Sequence, residues 1–307
     1  MSERNTIKKF KSLILRVPQE EALFKMQDAL KSREASRFMI ILPTGCGKTM
    51  VMGLAPFFLN ASAVLIITPN KTICDQVKKD LFDLFMSGSD ISNSMGGVMP
   101  TVGEFDKNKS TCKTDFVVVN VQAMVKGSGD DESEPTLRDE ASILLKNRKF
   151  DVCLVDEGHH CPAVSWKAVE KRLLELNDNC RTVLLTATPM RGDGLSYNLP
   201  NDNGKFYYLF PRDHAVRDSY IKSTTYHPIS CWQQTCYCND DYLTAMLDPA
   251  VLKLKDLRKS CNNFPLKLLI NAKDTKSAKK ISDFFNERSL KLDWNLKCVA
   301  ITGATAP

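Results

Sequence analysis

The stretch that decides the fold lies near the start of the chain and reads Phe38-Met39-Ile40-Ile41-Leu42-Pro43-Thr44-Gly45-Cys46-Gly47-Lys48-Thr49. An apolar run ends in a loop with two glycines, and a Lys-Thr pair then leads into the apolar residues 50–55, which can begin a helix. Glycine lets backbone N–H groups converge without Cβ clashes, and a helix N-terminus adds the positive end of its dipole. This order predicts a strand, a phosphate-binding turn and a helix.

The last two residues of this stretch have definite roles in such a phosphate cradle. Lys48 would reach the β and γ phosphates of a nucleotide, and the Thr49 hydroxyl would ligate Mg²⁺. The stretch departs from the general pattern G-x-x-x-x-G-K-[ST], because Leu42 stands where the first glycine is expected. The alternative is a strand, a tight turn and a buried helix with an exposed lysine. The rest of the chain must distinguish the two.

Five runs in the first 190 residues are apolar at nearly every position, and segments with helical spacing separate them. We predict strands at residues 38–42, 63–67, 115–119, 151–155 and 182–185. We predict one helix that begins near Pro18, a second that follows the glycine loop and ends at Leu59, and three more at about 74–85, 137–146 and 165–176. Strands that are apolar at every position belong to a parallel sheet covered on both faces. The sequence therefore predicts an α/β fold with helices on both faces of a parallel sheet.

The residue composition changes beyond Pro189. Residues 191–206 and 231–241 are rich in polar and turn-forming types, which indicates a connector. A second β/α pattern begins late, with a predicted strand at 266–270 and a helix from Thr275 to about Glu287. A last apolar strand is predicted at 297–301.

Acidic and polar side chains follow two of the predicted strands. The run 152–155 delivers Asp156-Glu157-Gly158-His159, and the next strand ends in Thr186-Ala187-Thr188. Open α/β sheets bind ligands at the carboxyl ends of their strands. An aspartate there can hold the Mg²⁺ that bridges ATP phosphates, and the adjacent glutamate can orient and deprotonate a water. An ordinary acidic turn is the alternative, but its place downstream of a phosphate-binding loop in one β/α array favours catalysis.

Together these residues resemble the superfamily 2 helicases and translocases, specifically their DExH side. The resemblance implies a RecA-like, P-loop NTPase fold with ATP and Mg²⁺ as cofactors. The first motif of this family commonly lacks its first glycine, which accounts for Leu42. Its nucleotide-binding residues correspond here to Gln19, Thr44, Gly45, Cys46, Gly47, Lys48 and Thr49.

The resemblance also implies roles for the other motifs. Asp156 and Thr49 would hold the metal, Glu157 would activate water, and Lys48 would complete the catalytic set. Gly158 stands where the family usually carries alanine. The residues that would contact nucleic acid, or couple it to the ATP site, are Thr68, Pro69, Asn70, Asn120, Gln122, His159, Thr186 and Thr188.

Two later segments, 185–194 and 215–221, are most similar to the branch of restriction-enzyme motor subunits and related DNA helicases, and 268–272 resembles motif IV, the first strand of the second RecA-like domain. This similarity implies a nucleic-acid partner, DNA in preference to RNA. It also implies a first RecA-like domain at 1–192, a connector at 193–263 and a partial second RecA-like domain at 264–307. Family members complete catalysis with later motifs in that second domain, so we expect a truncated product, a fragment or a chain completed by a partner. The alternatives are a non-catalytic ATP- or nucleic-acid-binding remnant and an RNA helicase.

Composition sets further bounds. The net charge of +6 is a mild bias that is compatible with a polyanionic partner. Eleven scattered cysteines, several of them inside apolar runs, suit free thiols in a reducing compartment, so we expect an intracellular protein, cytoplasmic or nuclear. Cys231, Cys236 and Cys238 lack paired C-x-x-C spacing and a nearby fourth ligand, which does not favour zinc. We predict neither a secretory signal nor a membrane span.

Overall fold

The computed structural model describes residues 15–31, 36–87, 99–105, 113–126, 136–160, 164–177, 179–188, 206–224, 240–260, 266–272 and 274–300. The contacts divide the chain into two compact units, 1–223 and 224–307.

The first unit alternates strands and helices. Its helices are α1 (Val17–Lys31), α2 (Lys48–Phe58), α3 (Lys71–Ser87), α4 (Val121–Met124), α5 (Asp139–Asn147), α6 (Val164–Leu176) and α7 (Arg212–Arg217), with a 3₁₀ turn at Gly158–His160. Its strands are β1 (Arg37–Ile41), β2 (Val64–Thr68), β3 (Val102–Glu104), β4 (Phe116–Asn120), β5 (Val125–Lys126), β6 (Thr136–Leu137), β7 (Val152–Asp156), β8 (Arg181–Thr186) and β9 (Tyr207–Leu209).

Seven of these strands form one sheet in the order β3-β4-β2-β7-β8-β1-β9, and every neighbouring pair is parallel. The short strands β5 and β6 form a separate antiparallel pair. In the main sheet Ile41 lies opposite Thr186, Asp156 opposite Leu185, and Thr68 opposite Asn120. This register brings the ends of five strands, and the residues that follow them, to one edge of the sheet.

The strands bury both of their faces, because alternate residues pack into two different hydrophobic clusters. One face carries Phe38, Ile40 and Leu42 of the first strand region and packs against α1, α2 and α3. The other face carries Met39 and Ile41 and packs against α4, α5 and α6. Successive side chains of a strand point to opposite faces, so a strand that is apolar throughout can sit only in such a two-sided sheet. The predicted α/β fold with helices on both faces is confirmed.

The five predicted strands are present with each end shifted by one residue, but the sheet has two more strands. β3 and β9 are edge strands of three residues each, and neither was predicted from the sequence. β9 pairs with β1, and the Tyr208 hydroxyl donates to Glu21 Oε2 of α1 at 2.8 Å. β9, which follows Pro189 in the chain, therefore belongs to the sheet of the first unit.

The second unit contains two described helices, α8 (Asp240–Ser260) and α9 (Thr275–Lys291). Their buried residues Leu243, Leu247 and Phe285 form a small core with Trp294, and Arg288 forms an ion pair with Asp248. Helix α8 lies within 193–263, and the assignment of that range as a connector stays a prediction. Spacings of four and three between Leu243, Leu247, Val251 and Leu254 could have predicted the helix.

The predicted strands at 266–270 and 297–301 are wrong for the residues that the structure describes there, since residues 266–272 and 292–300 contain no strand. A strand needs a partner ladder, and side chains occupy these backbone groups instead. The Arg258 guanidinium donates to Leu266 O, while Asn286 donates to Cys298 O at 3.0 Å and accepts from Cys298 N at 2.9 Å. The assignment of 264–307 to a partial second RecA-like domain stays a prediction.

None of the helices in the described ranges is both long and apolar enough to cross a membrane. The five cysteines that the structure describes are all free, and four of them are buried. Cys231, Cys236 and Cys238, the set considered for zinc, lie outside the described residues.

Candidate active site

The loop after β1 has the backbone shape that its two glycines permit. Gly45 has φ 91° and Gly47 has φ 82°, values in the left-handed region that L side chains rarely adopt. The Cys46 N–H donates to Pro43 O at 3.0 Å, and the Gly47 carbonyl accepts from Met50 and Val51 as α2 begins. A strand, a glycine turn and a helix N-terminus therefore follow one another as the sequence predicted.

Two side chains at the start of α1 hold the outer side of this loop. Arg16 Nη1 donates to Gly45 O at 2.7 Å, and Gln19 Nε2 donates to Cys46 O at 2.9 Å. The carbonyl and N–H of a trans peptide point in opposite directions, so the Gln19 contact aims the Gly47 N–H away from α1. That direction leads into the cradle. Arg16 was not among the predicted site residues.

The side chain of Gln19 is 5% exposed, and both ends of its amide are used within the chain. Its Oε1 accepts from Arg16 N at 3.0 Å, and its Nε2 lies 2.2 Å from where a Cβ on Gly47 would stand. No side chain larger than hydrogen fits at position 47 while Gln19 holds the loop. The nucleotide contact predicted for Gln19 stays a prediction.

A segment from the far end of the unit also packs on the loop. Ile221 Cγ2 would lie 3.1 Å from a Cβ on Gly45, and the Arg16 guanidinium lies over the Tyr220 ring at 5.6 Å. The backbone N–H groups of Tyr220 and Ile221 both donate to Ala215 O, which fixes this segment to α7. From the sequence this segment had only a family likeness, since nothing in its spacing indicates which loop it contacts.

The acidic motif lies at the end of β7. Asp156 is 8% exposed, and its Oδ1 accepts from the Glu157 N–H at 3.0 Å. Burial raises the pKa of Asp156, the neighbouring charge of Glu157 raises it further, and the charge of Lys48 opposes both. β7 and β1, which precede the acidic motif and the phosphate-binding loop, both pair with β8, so the two motifs lie at the same edge of the sheet.

The turn after Asp156 is tightly built. Glu157 has φ 49°, a left-handed conformation that is uncommon for a residue with a side chain. A Cβ on Gly158 would lie 2.9 Å from Leu184 Cβ of the adjacent strand. The glycine that replaces the usual family alanine therefore lets this turn rest directly on β8.

His159 links the acidic motif to β8. Its Nδ1 lies 3.0 Å from Thr186 Oγ1 and 3.3 Å from Glu157 Oε2. Thr186 is fully buried; its hydroxyl donates to Thr188 O at 2.9 Å and accepts from Thr188 N at 3.1 Å. Because the single hydroxyl proton of Thr186 is used on Thr188, the contact with His159 requires a proton on Nδ1. Glu157, His159, Thr186 and Thr188 thus form one connected set.

The residues predicted to contact nucleic acid lie at the same sheet edge, after β2 and β4. Thr68 Oγ1 donates to Val119 O at 3.1 Å, which ties these two strands together. Asn70 Oδ1 accepts from Ile73 N at 2.9 Å at the start of α3, and Asn120 Oδ1 accepts from Gln122 N at 3.0 Å at the start of α4. Pro69 is half-buried and Gln122 is exposed. Each asparagine has a capping role, and their contact with nucleic acid stays a prediction.

The side chains present fit a magnesium nucleotide. The hydroxyl of Thr49 and the carboxylate of Asp156 are hard oxygen ligands, which Mg²⁺ prefers. Within the described ranges no group of three or more His, Cys, Asp or Glu could hold a metal by itself. Mg²⁺ usually takes one or two protein ligands and fills its shell with water and phosphate oxygens, so two ligands are what the chemistry requires.

A cleft of about 490 Å³ opens beside the phosphate-binding loop. Its walls come from Pro43 and Thr44 of the loop, Ala187 and Thr188 after β8, and Phe210 after β9. The loop and the end of β8 therefore face a common space in the first unit.

Comparison with known proteins identifies a family and one relative. Residues 12–191 match the family described as Type III restriction enzyme, res subunit. A stretch of 192 residues, 61% of this chain, is 24% identical to "Putative helicase 22" of the Sulfolobus islandicus filamentous virus and covers 31% of that protein. The chain thus spans about a third of the length of the curated relative that it matches.

Solved structures with a low overall similarity include three motor proteins. The Sulfolobus solfataricus SWI2/SNF2 ATPase core in complex with dsDNA is 16% identical, with 57% of this chain and 32% of that chain covered and a TM-score of 0.39. A nuclease-deletion mutant of the Type ISP restriction-modification enzyme LlaGI, in complex with a DNA substrate mimic, is 14% identical, with coverages of 95% and 28% and a TM-score of 0.43. A hypothetical ATP-dependent RNA helicase from Sulfolobus tokodaii is 16% identical, with coverages of 62% and 52% and a TM-score of 0.41.

The family match extends over more than half of the chain and contains the phosphate-binding loop, the acidic motif and Thr186-Ala187-Thr188. The chain therefore belongs to the helicase family described as Type III restriction enzyme, res subunit.

Proposed function

We propose that this chain is an ATP-hydrolysing motor module of a helicase or translocase that acts on DNA. The observation that carries the proposal is the meeting of two motifs at one sheet edge. Lys48 follows the glycine loop after β1, Asp156 ends β7, and both strands pair in parallel with β8. Lysine and carboxylate arranged in this way are what a magnesium nucleotide requires.

Each residue at this edge has a specific task in the proposal. Lys48 and the N–H groups of the glycine loop bind phosphate oxygens, and Thr49 and Asp156 hold Mg²⁺. When bound, the metal neutralises charge on the phosphates. Glu157 orients water and accepts its proton, and His159 keeps the Glu157 carboxylate near β8 through their 3.3 Å contact. Arg16 and Gln19 keep the loop open by holding its carbonyls.

DNA is the proposed substrate because the family is that of restriction-enzyme subunits. Thr68, Asn70, Asn120 and Gln122, at the ends of β2 and β4, are the proposed contacts. Hydroxyls, amides and backbone N–H groups suit phosphate oxygens, which fits a motor that tracks a backbone without reading its sequence.

The test is ATP turnover with no nucleic acid, with single-stranded DNA and with single-stranded RNA. We expect stimulation by DNA above that by RNA. For Glu157→Gln we expect retained ATP binding and hydrolysis lowered by at least about 10²-fold, the contribution typical of a general base. For Lys48→Ala we expect loss of ATP binding. The control is Glu175→Gln on α6, which also removes one carboxylate but lies outside the site.

Three results would contradict parts of this proposal. Unchanged turnover in Glu157→Gln removes that residue from the reaction. ATP binding without turnover in the unsubstituted chain supports the alternative of a non-catalytic ATP- or nucleic-acid-binding protein. Preferential stimulation by RNA supports an RNA helicase, since the 2′-OH is the group that separates the two polymers.

A further inference from the structure

A second cavity lies at the opposite edge of the sheet, where the strands begin. Its volume is about 790 Å³. It lies between Lys31 at the end of α1, Lys149 and Asp151 just before β7, and Arg181 at the start of β8. None of the motifs of the active site reaches this edge. We call it the amino-edge groove.

The amino-edge groove has more cationic than anionic side chains. Lys31, Lys149 and Arg181 line it, and Asp151 is its one acidic residue. Across the ranges that the structure describes, none of the three cations has a carboxylate oxygen within 4 Å in an ion pair. Lys31 and Lys149 are exposed, so both can reach a ligand without a change of fold.

One oxygen of the Asp151 carboxylate is committed to the start of β2. Its Oδ2 accepts from Ser62 N at 2.8 Å, from Ser62 Oγ at 3.0 Å and from Ala63 N at 3.0 Å. Burial raises the pKa of Asp151, but these hydrogen bonds and the nearby Arg181 outweigh burial and lower it. Asp151 therefore stays ionised and directs its charge toward the start of β2, which leaves the groove with cations in excess.

Arg181 is the least exposed of the three cations. Its side chain is partly buried, and burial lowers its pKa, which Asp151 only partly opposes. Its guanidinium makes no hydrogen bond within the described part of the chain. A half-buried guanidinium with no acceptor among the described residues is available to an oxyanion, which offers it both hydrogen bonds and opposite charge.

We propose that the amino-edge groove binds phosphate groups, with the phosphodiester backbone of nucleic acid as their source. Three cations on three separate segments suit a ligand with several phosphates better than a single small anion. Arg181 forms the fixed part of the site, since it lies on a strand of the sheet, and the two lysines supply adjustable charge at the rim. This proposal does not depend on ATP hydrolysis.

The test measures binding of fluorescein-labelled oligo(dT) by the full chain over a series of KCl concentrations. The variants are Lys149→Gln, Lys31→Gln and Arg181→Gln. Lys146→Gln is the matched control, since it removes the same charge from an exposed lysine that does not line the groove. Log K falls with log salt, and each lost phosphate contact makes this slope less steep by about 0.7 for single strands. We expect that loss for each groove variant and none for Lys146→Gln.

A second arm separates a nucleic-acid backbone from a free phosphate compound. Pyrophosphate is titrated against the Lys48→Ala protein, in which the phosphate-binding loop is disabled, and thermal stability is followed with and without Lys149→Gln. Stabilisation that Lys149→Gln removes, with unchanged oligo(dT) slopes, supports phosphate binding and overturns the nucleic-acid source.

The proposal is overturned altogether if the groove variants match Lys146→Gln in the salt series and pyrophosphate gives no shift that depends on Lys149. If Arg181→Gln folds poorly, the two exposed lysines decide the result, because their substitution removes no buried contact. A chain that fails to hydrolyse ATP would refute the proposed motor function and leave this test intact.

Discussion

At the scale of single residues, Asp156 shows a conflict between stability and chemistry. A metal ligand must be ionised, yet this carboxylate is buried at the end of β7 next to the charge of Glu157. Burial and the like charge both disfavour its ionised form, so its pKa in the folded protein lies above that in the unfolded chain. An ionised Asp156 therefore destabilises the folded state at neutral pH.

We expect Asp156→Asn to raise the free energy of unfolding at pH 7 while hydrolysis is lost. A carboxyl with a raised folded pKa destabilises the fold above that pKa, and the penalty disappears as the pH falls below the unfolded value of about 3.9. The gain from asparagine should thus shrink toward acid pH. Urea denaturation of both proteins between neutral and acid pH measures it.

Asp151→Asn is the control, because we expect it to change the free energy of unfolding at pH 7 in the opposite direction. The lowered pKa of Asp151 means that its carboxylate stabilises the fold above the unfolded pKa, and that this stability is lost as the pH falls through the folded pKa. Its asparagine variant should be less stable at pH 7, with the difference fading in acid. If the gain from Asp156→Asn does not change with pH, ionisation of Asp156 is not the source of the destabilisation.

Some residues of the site could be predicted from the sequence and others could not. The sequence predicted Lys48 and Asp156 because their roles follow from short runs whose backbone shape is set locally. Arg16 and Ile221 contact Gly45 across the fold, and such contacts depend on where distant segments end in space. No local pattern carries that information.

At the scale of elements, Asn70 has a structural and a proposed functional role. Its side chain caps the start of α3 by accepting from Ile73 N. Capping side chains contribute about 1 kcal/mol to stability, and serine caps nearly as well as asparagine. A loss of nucleic-acid binding after substitution could therefore come from either role.

Two substitutions at this position separate the roles. We expect Asn70→Ala to lower the free energy of unfolding by about 1 kcal/mol and Asn70→Ser to keep it nearly unchanged. If the amide also contacts a phosphate, both variants should bind single-stranded DNA less tightly. Denaturation and DNA titration of the same two proteins decide the matter. DNA affinity that follows stability alone would remove Asn70 from the proposed nucleic-acid contacts.

The length of each strand explains whether the sequence could predict it. β1, β2, β4, β7 and β8 are apolar nearly throughout, and such runs of five or six residues fit only a covered sheet. β3 and β9 have three residues each, and three positions are too few to distinguish the apolar pattern of a strand from that of a helix or loop. The run at 266–270 has the composition of a strand without a described partner strand, and pairing is a property of two segments.

At the scale of the whole molecule, every described residue of the candidate active site lies in the first unit. The phosphate-binding loop, the acidic motif and the ends of β2, β4 and β8 all belong to residues 1–223. Both large hydrophobic clusters are built within the same range. This unit thus contains its own core and the described residues of the candidate active site.

We expect a chain of residues 1–223 to fold alone and to bind a non-hydrolysable ATP analogue within about threefold of the full chain, a difference below about 1 kcal/mol. Circular dichroism and calorimetric titration measure the two properties. The same fragment with Lys48→Ala should fold and fail to bind. Binding that requires residues 224–307 would show that the nucleotide site extends beyond the first unit.

The two-faced sheet also determines where this chain can change its length. Residues 38, 40 and 42 pack on one side of the sheet and residues 39 and 41 on the other, and the neighbouring strands alternate in the same way. Deleting one residue inside β1 would therefore exchange the two sides for the rest of that strand and would displace the glycine loop that follows it. Insertions and deletions are tolerable between elements, whereas the residue count from the start of β1 to Lys48 is fixed by the geometry of the sheet.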